Sequence, residues 1–234
     1  MNIKGIIFDK DGTLFDFQKS WGNETFYFLK TLSGGSSHLL NKLANKISFD
    51  LNKKIFYPDS IFIAGTADET IALLQNLIPE KSTENIKYIQ TQSYANQKQI
   101  PVKNLFNILK KLYTAGYIMS VATNDLEGPT ITQLKKADIL NFFSDVLGAD
   151  SGYGAKPEPS QLIELKRRKN LKSQQIVMVG DSPYDLIAAK NAGVKSFGVL
   201  TGLASRADLE AHSEVVCEDI SYLSAWLEKQ NSSN

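Results

Sequence analysis

The stretch IIFDKDGTLFD, residues 6–16, ends a short apolar run in two aspartates separated by a lysine. Ile6, Ile7 and Phe8 are β-branched or aromatic, and Asp11-Gly12 follows them closely. That combination reads as a buried strand rather than a helix. On an extended segment alternate side chains share a face, which places Asp9 with Asp11 and turns Lys10 the other way. Lys10 is therefore read as peripheral, at most a counter-charge to nearby acids. Asp16 is read as a turn residue where the chain departs from the strand.

The bulk properties limit what surrounds this strand. At 234 residues and 42% hydrophobic content the chain can hold one large domain, or a core domain with a smaller insert. The net charge of +1 is spread evenly, with no basic stripe of the kind nucleic acid requires. The one basic run, KRRK at 166–169, reads as a solvated helix face. A single cysteine, Cys217, excludes an intramolecular disulfide and points to a reducing compartment. MNIKGIIF meets Asp9 too early for a signal-peptide apolar region, and no run approaches the roughly 20 apolar residues of a membrane helix. The expectation is a cytoplasmic protein, monomeric or homodimeric, without nucleic-acid or membrane partners.

Beyond the first strand the pattern changes twice. Phe17, Trp21, Phe28 and Leu32 fall on one helical face before the SGGSS break at 33–37. Leu39, Leu40, Leu43 and Ile47 make a second stripe, Ile71, Leu74 and Ile78 a third, and Ile86 with Ile89 suggest a fourth. Only IFIAG at 61–65 offers a possible strand, so residues 17–98 are predicted to form an all-helical insert. From Pro101 onward helices alternate with the strand-like runs YIMSVATN, DVLGA, QIVMVGDS and SFGVL. Alternation of this kind predicts an α/β fold with a doubly wound parallel sheet, residues 1–16 and 99–234 forming the core.

Polar residues gather at the predicted strand ends, where open parallel sheets bind ligands. The first strand ends in DKDGT, the second in Thr123-Asn124, and VMVGD in Asp181 with Asp185 four residues on; Lys156 opens an intervening helix. Any one aspartate could be a helix N-cap, but their joint placement at one edge needs another account. Ordinary aspartates are ionised at neutral pH, their pKa being about 3.9. Two such charges about 4 Å apart repel by roughly 4 kcal/mol at an effective dielectric of about 20. Asp9, Asp11, Asp181 and Asp185 thus imply a cation, and an all-carboxylate set suits Mg²⁺. A carboxylate at a rigid strand end can attack phosphorus, while its neighbour protonates the leaving oxygen. Gly12 and Asn124 amides, the Thr123 hydroxyl and the Lys156 ammonium could cradle the phosphate.

In order, DKDGT (9–13), ATN (122–124), KPEP (156–159) and GDSPYD (180–185) resemble the four motifs of haloacid-dehalogenase-superfamily phosphatases. The resemblance is to the branch with a helical cap after the first strand, which includes phosphoglycolate phosphatases. It implies a Rossmann-like core with the cap over residues 17–98. It further implies Asp9 as the nucleophile forming an aspartyl-phosphate and Asp11 as general acid/base. Mg²⁺ would be held by Asp9, the Asp11 backbone carbonyl and Asp181, with Asp185 supporting or completing that shell. Thr123, Asn124 and Lys156 would bind phosphate. Lys10 departs from the apolar residue common at its position. In this branch the cap supplies substrate contacts, for which Trp21, Asn23 and Gly65-Thr66 are the candidates. The expected substrate is a small phosphorylated metabolite, phosphoglycolate-like. The alternatives are a phosphomutase of the β-phosphoglucomutase type and a non-catalytic phosphate-ligand-binding protein.

Overall fold

The structure, a computed structural model, describes residues 2–64, 66–94 and 98–232. The chain divides into two compact units, one made of Met1–Asp16 and Pro101–Asn234 and the other of Phe17–Ile100. The first element, strand β1 (Gly5–Phe8), is buried along its whole length, as a β-branched and aromatic run covered on both faces should be.

The unit Phe17–Ile100 is mostly helical. Helix α1 (Phe17–Leu32) buries Phe17, Phe28, Leu29 and Leu32, and ends at the glycine pair. Helix α2 (Ser37–Lys46) starts where the Ser36 hydroxyl accepts the Leu39 N–H at 3.2 Å. A small antiparallel hairpin follows, β2 (Phe49–Asp50) with β3 (Ile55–Phe56), which the helical reading of the insert did not include. Its causes are local. Asp50 Oδ1 accepts the N–H groups of Asn52 and Lys53, each at 2.9 Å, and folds the turn. The Phe49 and Phe56 rings then pack 4.9 Å apart, and the Gln18 amide brackets the Phe56 backbone with two 2.8 Å bonds.

The possible strand at 61–65 is instead a short helix, α3 (Ile61–Ala64). Ser60 Oγ accepts the Phe62 N–H at 3.3 Å, a bond that favours a helical turn over an extended chain. Gly65 lies outside the described residues. Thr66 and Glu69 form a reciprocal capping box for α4 (Ala67–Gln75), so the Thr66 side chain serves as a helix cap. Helix α5 (Thr83–Tyr94) follows, with Ile86 buried.

The rest of the chain alternates as expected: α6 (Leu105–Thr114), β4 (Ile118–Ala122), α7 (Glu127–Lys136), β5 (Phe143–Leu147), α8 (Ser160–Arg168), β6 (Ile176–Gly180), α9 (Pro183–Ala192), β7 (Lys195–Val199), α10 (Arg206–Glu210), β8 (Val216–Cys217) and α11 (Leu223–Ser232). Six parallel strands stand in the order β5-β4-β1-β6-β7-β8. One face packs Ile6, Phe8, Val121 and Val179 with Leu105 and Leu109 of α6 and with Leu223 and Leu227 of α11. The other packs Ile7, Ala122 and Met178 against Leu162 and Leu165 of α8 and Ala188 and Ala189 of α9. Register aligns Phe8 with Val121 on one side and Val179 on the other, so β1, β4 and β6 end at one level. The basic run 166–169 is paired with acids: Arg167 and Arg168 bind Glu164, while Arg168 and Lys169 bind Asp145. Among the described residues no helix is long and apolar enough to cross a membrane.

Candidate active site

Immediately past the ends of β1 and β6, Asp9 and Asp181 are buried, and Asp185 on the first turn of α9 joins them. Their carboxylates offer oxygens within 4.8 Å of one another. Lys156 reaches the group from the loop before α8. Its ammonium lies 2.5 Å from Asp9 Oδ1, 2.6 Å from Asp185 Oδ1 and 2.8 Å from the Ala122 carbonyl oxygen. Burial pushes the Asp9 carboxyl up to about 7; Lys156 opposes the rise, while Asp185 and Asp11 add to it. Burial also raises Asp181, helped by repulsion from Asp9 and Asp185. Burial works against the Lys156 charge, yet the Asp185 and Asp9 carboxylates hold its pKa above the ordinary lysine value.

One ammonium among three clustered carboxylates leaves the pocket short of positive charge. The donor set is hard oxygen throughout, which fits a cation of the Mg²⁺ type and not a softer metal. Within the set the roles differ. Asp185 Oδ1 meets Lys156, and its Oδ2 accepts the Ser182 N–H at 3.1 Å and hydroxyl at 2.7 Å. Both of its oxygens are thus engaged in capping α9 and anchoring the lysine, a supporting position. Asp181 accepts the Thr13 hydroxyl at 3.1 Å.

Asp11 lies apart from the three clustered carboxylates. Its Oδ2 is 2.6 Å from the Lys10 ammonium, which also meets Asp125 Oδ2 at 3.0 Å and Gln133 Oε1 at 2.7 Å. Lys10 is fully buried, which corrects its reading as a peripheral residue. The alternation rule fails because the chain turns at once after Asp9. The Leu14 and Phe15 N–H groups donate to the Lys10 carbonyl at 2.9 and 3.1 Å, and Gly12 adopts φ +88°. Although burial disfavours its charge, Asp11 and Asp125 raise the Lys10 pKa above the ordinary value.

Gly12 belongs to that turn in two ways. Beyond its left-handed φ, a Cβ there would run into the Asp181 carboxylate. Its N–H donates to the Phe15 carbonyl at 2.7 Å, so the amide expected to meet phosphate is committed to the turn. Thr123 is buried, and its Oγ1 accepts the Asp125 N–H at 3.1 Å, leaving the hydroxyl proton to be donated elsewhere. The Asn124 side chain binds the Lys156 backbone from both ends, Nδ2 to the carbonyl at 2.9 Å and Oδ1 from the N–H at 2.8 Å. It therefore holds the lysine's loop against the end of β4.

Besides Asp125 and Gln133, three further contributors went unnoticed in the sequence. Gln161 is fully buried, and its Nε2 donates to the Thr123 carbonyl at 3.2 Å and to that of Gly154 at 2.8 Å, tying the two loops together. Thr201 donates to the Gly12 carbonyl at 2.6 Å. A Cβ on Gly202 would overlap the Asp181 carboxylate. Of these, Gln161 lay directly after the KPEPS run, as Asp125 lies directly after the ATN motif. In the other unit, Trp21 is half-buried on α1, and Asn23 Oδ1 accepts from the Lys54 ammonium at 3.0 Å.

The chain is 37% identical over 121 residues to a phosphoglycolate phosphatase of Vibrio cholerae, 51% of this chain and 54% of that one. The match thus spans about half the length of that relative. A phosphoglycolate phosphatase of Nitrosospira multiformis is 28% identical over 202 residues, covering 86% of this chain and 84% of that one. Among solved structures, a predicted phosphoglycolate phosphatase from Haemophilus somnus superposes with a TM-score of 0.75 at 22% identity, over 96% of this chain and 98% of that one; at that identity the likeness speaks for the fold. A family model described as haloacid dehalogenase-like hydrolase matches residues 6–199, and with it the chain belongs to the haloacid dehalogenase-like hydrolases.

Proposed function

We propose that the protein is a Mg²⁺-dependent phosphatase acting on a small phosphate monoester of the phosphoglycolate kind. The observation that carries this reading is the Asp9–Lys156 pair, a strand-end carboxylate 2.5 Å from a buried ammonium and clustered with Asp181. The names of the Vibrio cholerae and Nitrosospira multiformis relatives support the substrate class.

In the first half of the reaction an Asp9 carboxylate oxygen attacks phosphorus, and the bond from phosphorus to the leaving oxygen breaks. Asp11 gives its proton to that oxygen as the alcohol departs. In the second half a water molecule gives a proton to the Asp11 carboxylate and attacks phosphorus. The phosphorus–oxygen bond to Asp9 then breaks and inorganic phosphate leaves. Lys156 and the Thr123 hydroxyl hold the phosphoryl oxygens, Lys156 by charge and Thr123 by the proton its hydroxyl has left to donate. Asn124 and Gln161 keep those two groups in register. Asp9, Asp181 and the Asp11 backbone carbonyl, with Asp185 behind them, would hold Mg²⁺, whose charge would offset that of the anionic phosphate.

The test is inorganic phosphate release from a panel of monoesters with Mg²⁺ and no sugar bisphosphate. Release from small organic phosphates is expected. Turnover that appears only with a bisphosphate activator, without net phosphate release, would establish a mutase, and silence across the panel a binding protein.

A further inference from the structure

We propose that Lys10 is the positioning residue of the acid/base carboxylate, fixing Asp11 relative to the phosphate-binding loop. The proposal rests on the reading of Asp11 as general acid/base. A lysine buried to this extent is expensive unless its charge is paired and its protons are bonded. An apolar side chain would fill the same space without that cost, so the charge calls for a reason in the groups it meets. The ammonium joins three separate parts of the core unit: Asp11 on the turn after β1, at 2.6 Å; Asp125 in the loop between β4 and α7, at 3.0 Å; and Gln133 within α7, at 2.7 Å. Gln133 fixes the ammonium from a rigid helix without adding a competing charge. Asp11 and Asp125 retain side-chain exposures of 16% and 29%, so the buried lysine is the rigid member and the carboxylates are what it restrains.

The second partner gives the arrangement its consequence. Asp125 donates its N–H to Thr123 Oγ1 at 3.1 Å, so the residue that shares the Lys10 ammonium with Asp11 also braces the hydroxyl proposed to hold the phosphoryl group. Donor of the proton and holder of the phosphate are tied to one ammonium. Proton transfer from Asp11 requires its oxygen within hydrogen-bond reach of the leaving oxygen, and a small displacement is costly there.

The test compares kcat/KM for phosphoglycolate, whose alkoxide must be protonated as it leaves, with that for p-nitrophenyl phosphate, whose phenolate leaves without a proton. This ratio reports the step in which the leaving group departs. For Lys10→Met the expected loss is about 100-fold on phosphoglycolate and under about 5-fold on the aryl ester. Lys10→Arg, which keeps the charge, should recover most of that loss. Equal losses on both substrates, or none, would overturn the proposal. Should Lys10→Met not accumulate as folded protein, Gln133→Leu must show the same selective loss, about 5-fold, and an unselective loss there is equally fatal. Asp11→Asn separates the two readings. A selective loss in Asp11→Asn with an unselective Lys10→Met sinks the positioning role alone. An unselective Asp11→Asn removes the acid/base assignment itself.

Discussion

The Lys156 ammonium lies 2.6 Å from the Asp185 carboxylate, with both side chains withdrawn from water. The same ammonium neutralises Asp9, so its removal leaves two buried acids without their partner. Lys156→Met is predicted to destabilise the cation-free protein by about 3–5 kcal/mol. Urea unfolding measured in chelator reads this directly, and superimposable curves for variant and parent would refute it.

Asp9→Asn acts in the opposite sense on stability. The carboxyl it replaces is pushed up to about 7 by burial, so the folded state already resists its ionisation. The variant is predicted to be at least as resistant to heat as the parent at neutral pH, yet to lose about 10³-fold or more in turnover. Near-normal phosphate release would remove Asp9 from the nucleophile's place.

The raised carboxyls also couple the cation to pH. Asp9 is raised from 3.8 to about 7, and Asp181 is raised with it. Between those values the folded state binds more protons than the unfolded chain, so cation-free stability falls as pH rises. Mg²⁺ must displace the same protons, so its stabilisation grows over the same interval. The rise in melting temperature on adding millimolar Mg²⁺ is predicted to be small at about pH 5 and larger at about pH 8. EDTA should abolish activity and Mg²⁺ restore it; a melting shift independent of pH would contradict the electrostatic account.

Gly202 offers a test away from the recognised motifs. Because a Cβ there would overlap Asp181, Gly202→Ala must move the carboxylate, the loop or both. Overpacking of this kind costs about 1–3 kcal/mol. Calorimetric titration is predicted to show Mg²⁺ binding weakened by about 10-fold or more in a variant that still folds. Unchanged affinity would mean that the loop yields instead of the aspartate.

Legibility in the sequence followed how local each cause is. Asp9, Thr123 and Asp181 could be placed because each ends an apolar run, and a parallel sheet brings such ends to one edge. Lys10 was misplaced because alternation was extended past the strand, into a turn in which the Thr13, Leu14 and Phe15 N–H groups converge on one carbonyl. The bond from the Asn124 side chain to the backbone of a residue 32 positions away is a pairing with no local signature. Gly202 is required by a side chain that only the folded chain brings near it. The hairpin Phe49–Phe56 was overlooked because each of its strands has only two residues, too few for periodicity to register.

The place of β1 between β4 and β6 bears on how the protein is made. Gly5–Phe8 leaves the ribosome before both of its partners, Ile118–Val121 and Ile176–Val179. Until the second of these emerges, at least one edge of β1 stays unpaired, an invitation to association with other chains. Pairings this distant favour slow folding, because the loop must close before contacts reward it. The intervening unit Phe17–Ile100 lengthens that loop, yet closure cost grows only logarithmically with length. A whole unit can therefore be carried between β1 and β4 at little thermodynamic penalty, the burden falling on the rate at which the sheet is completed.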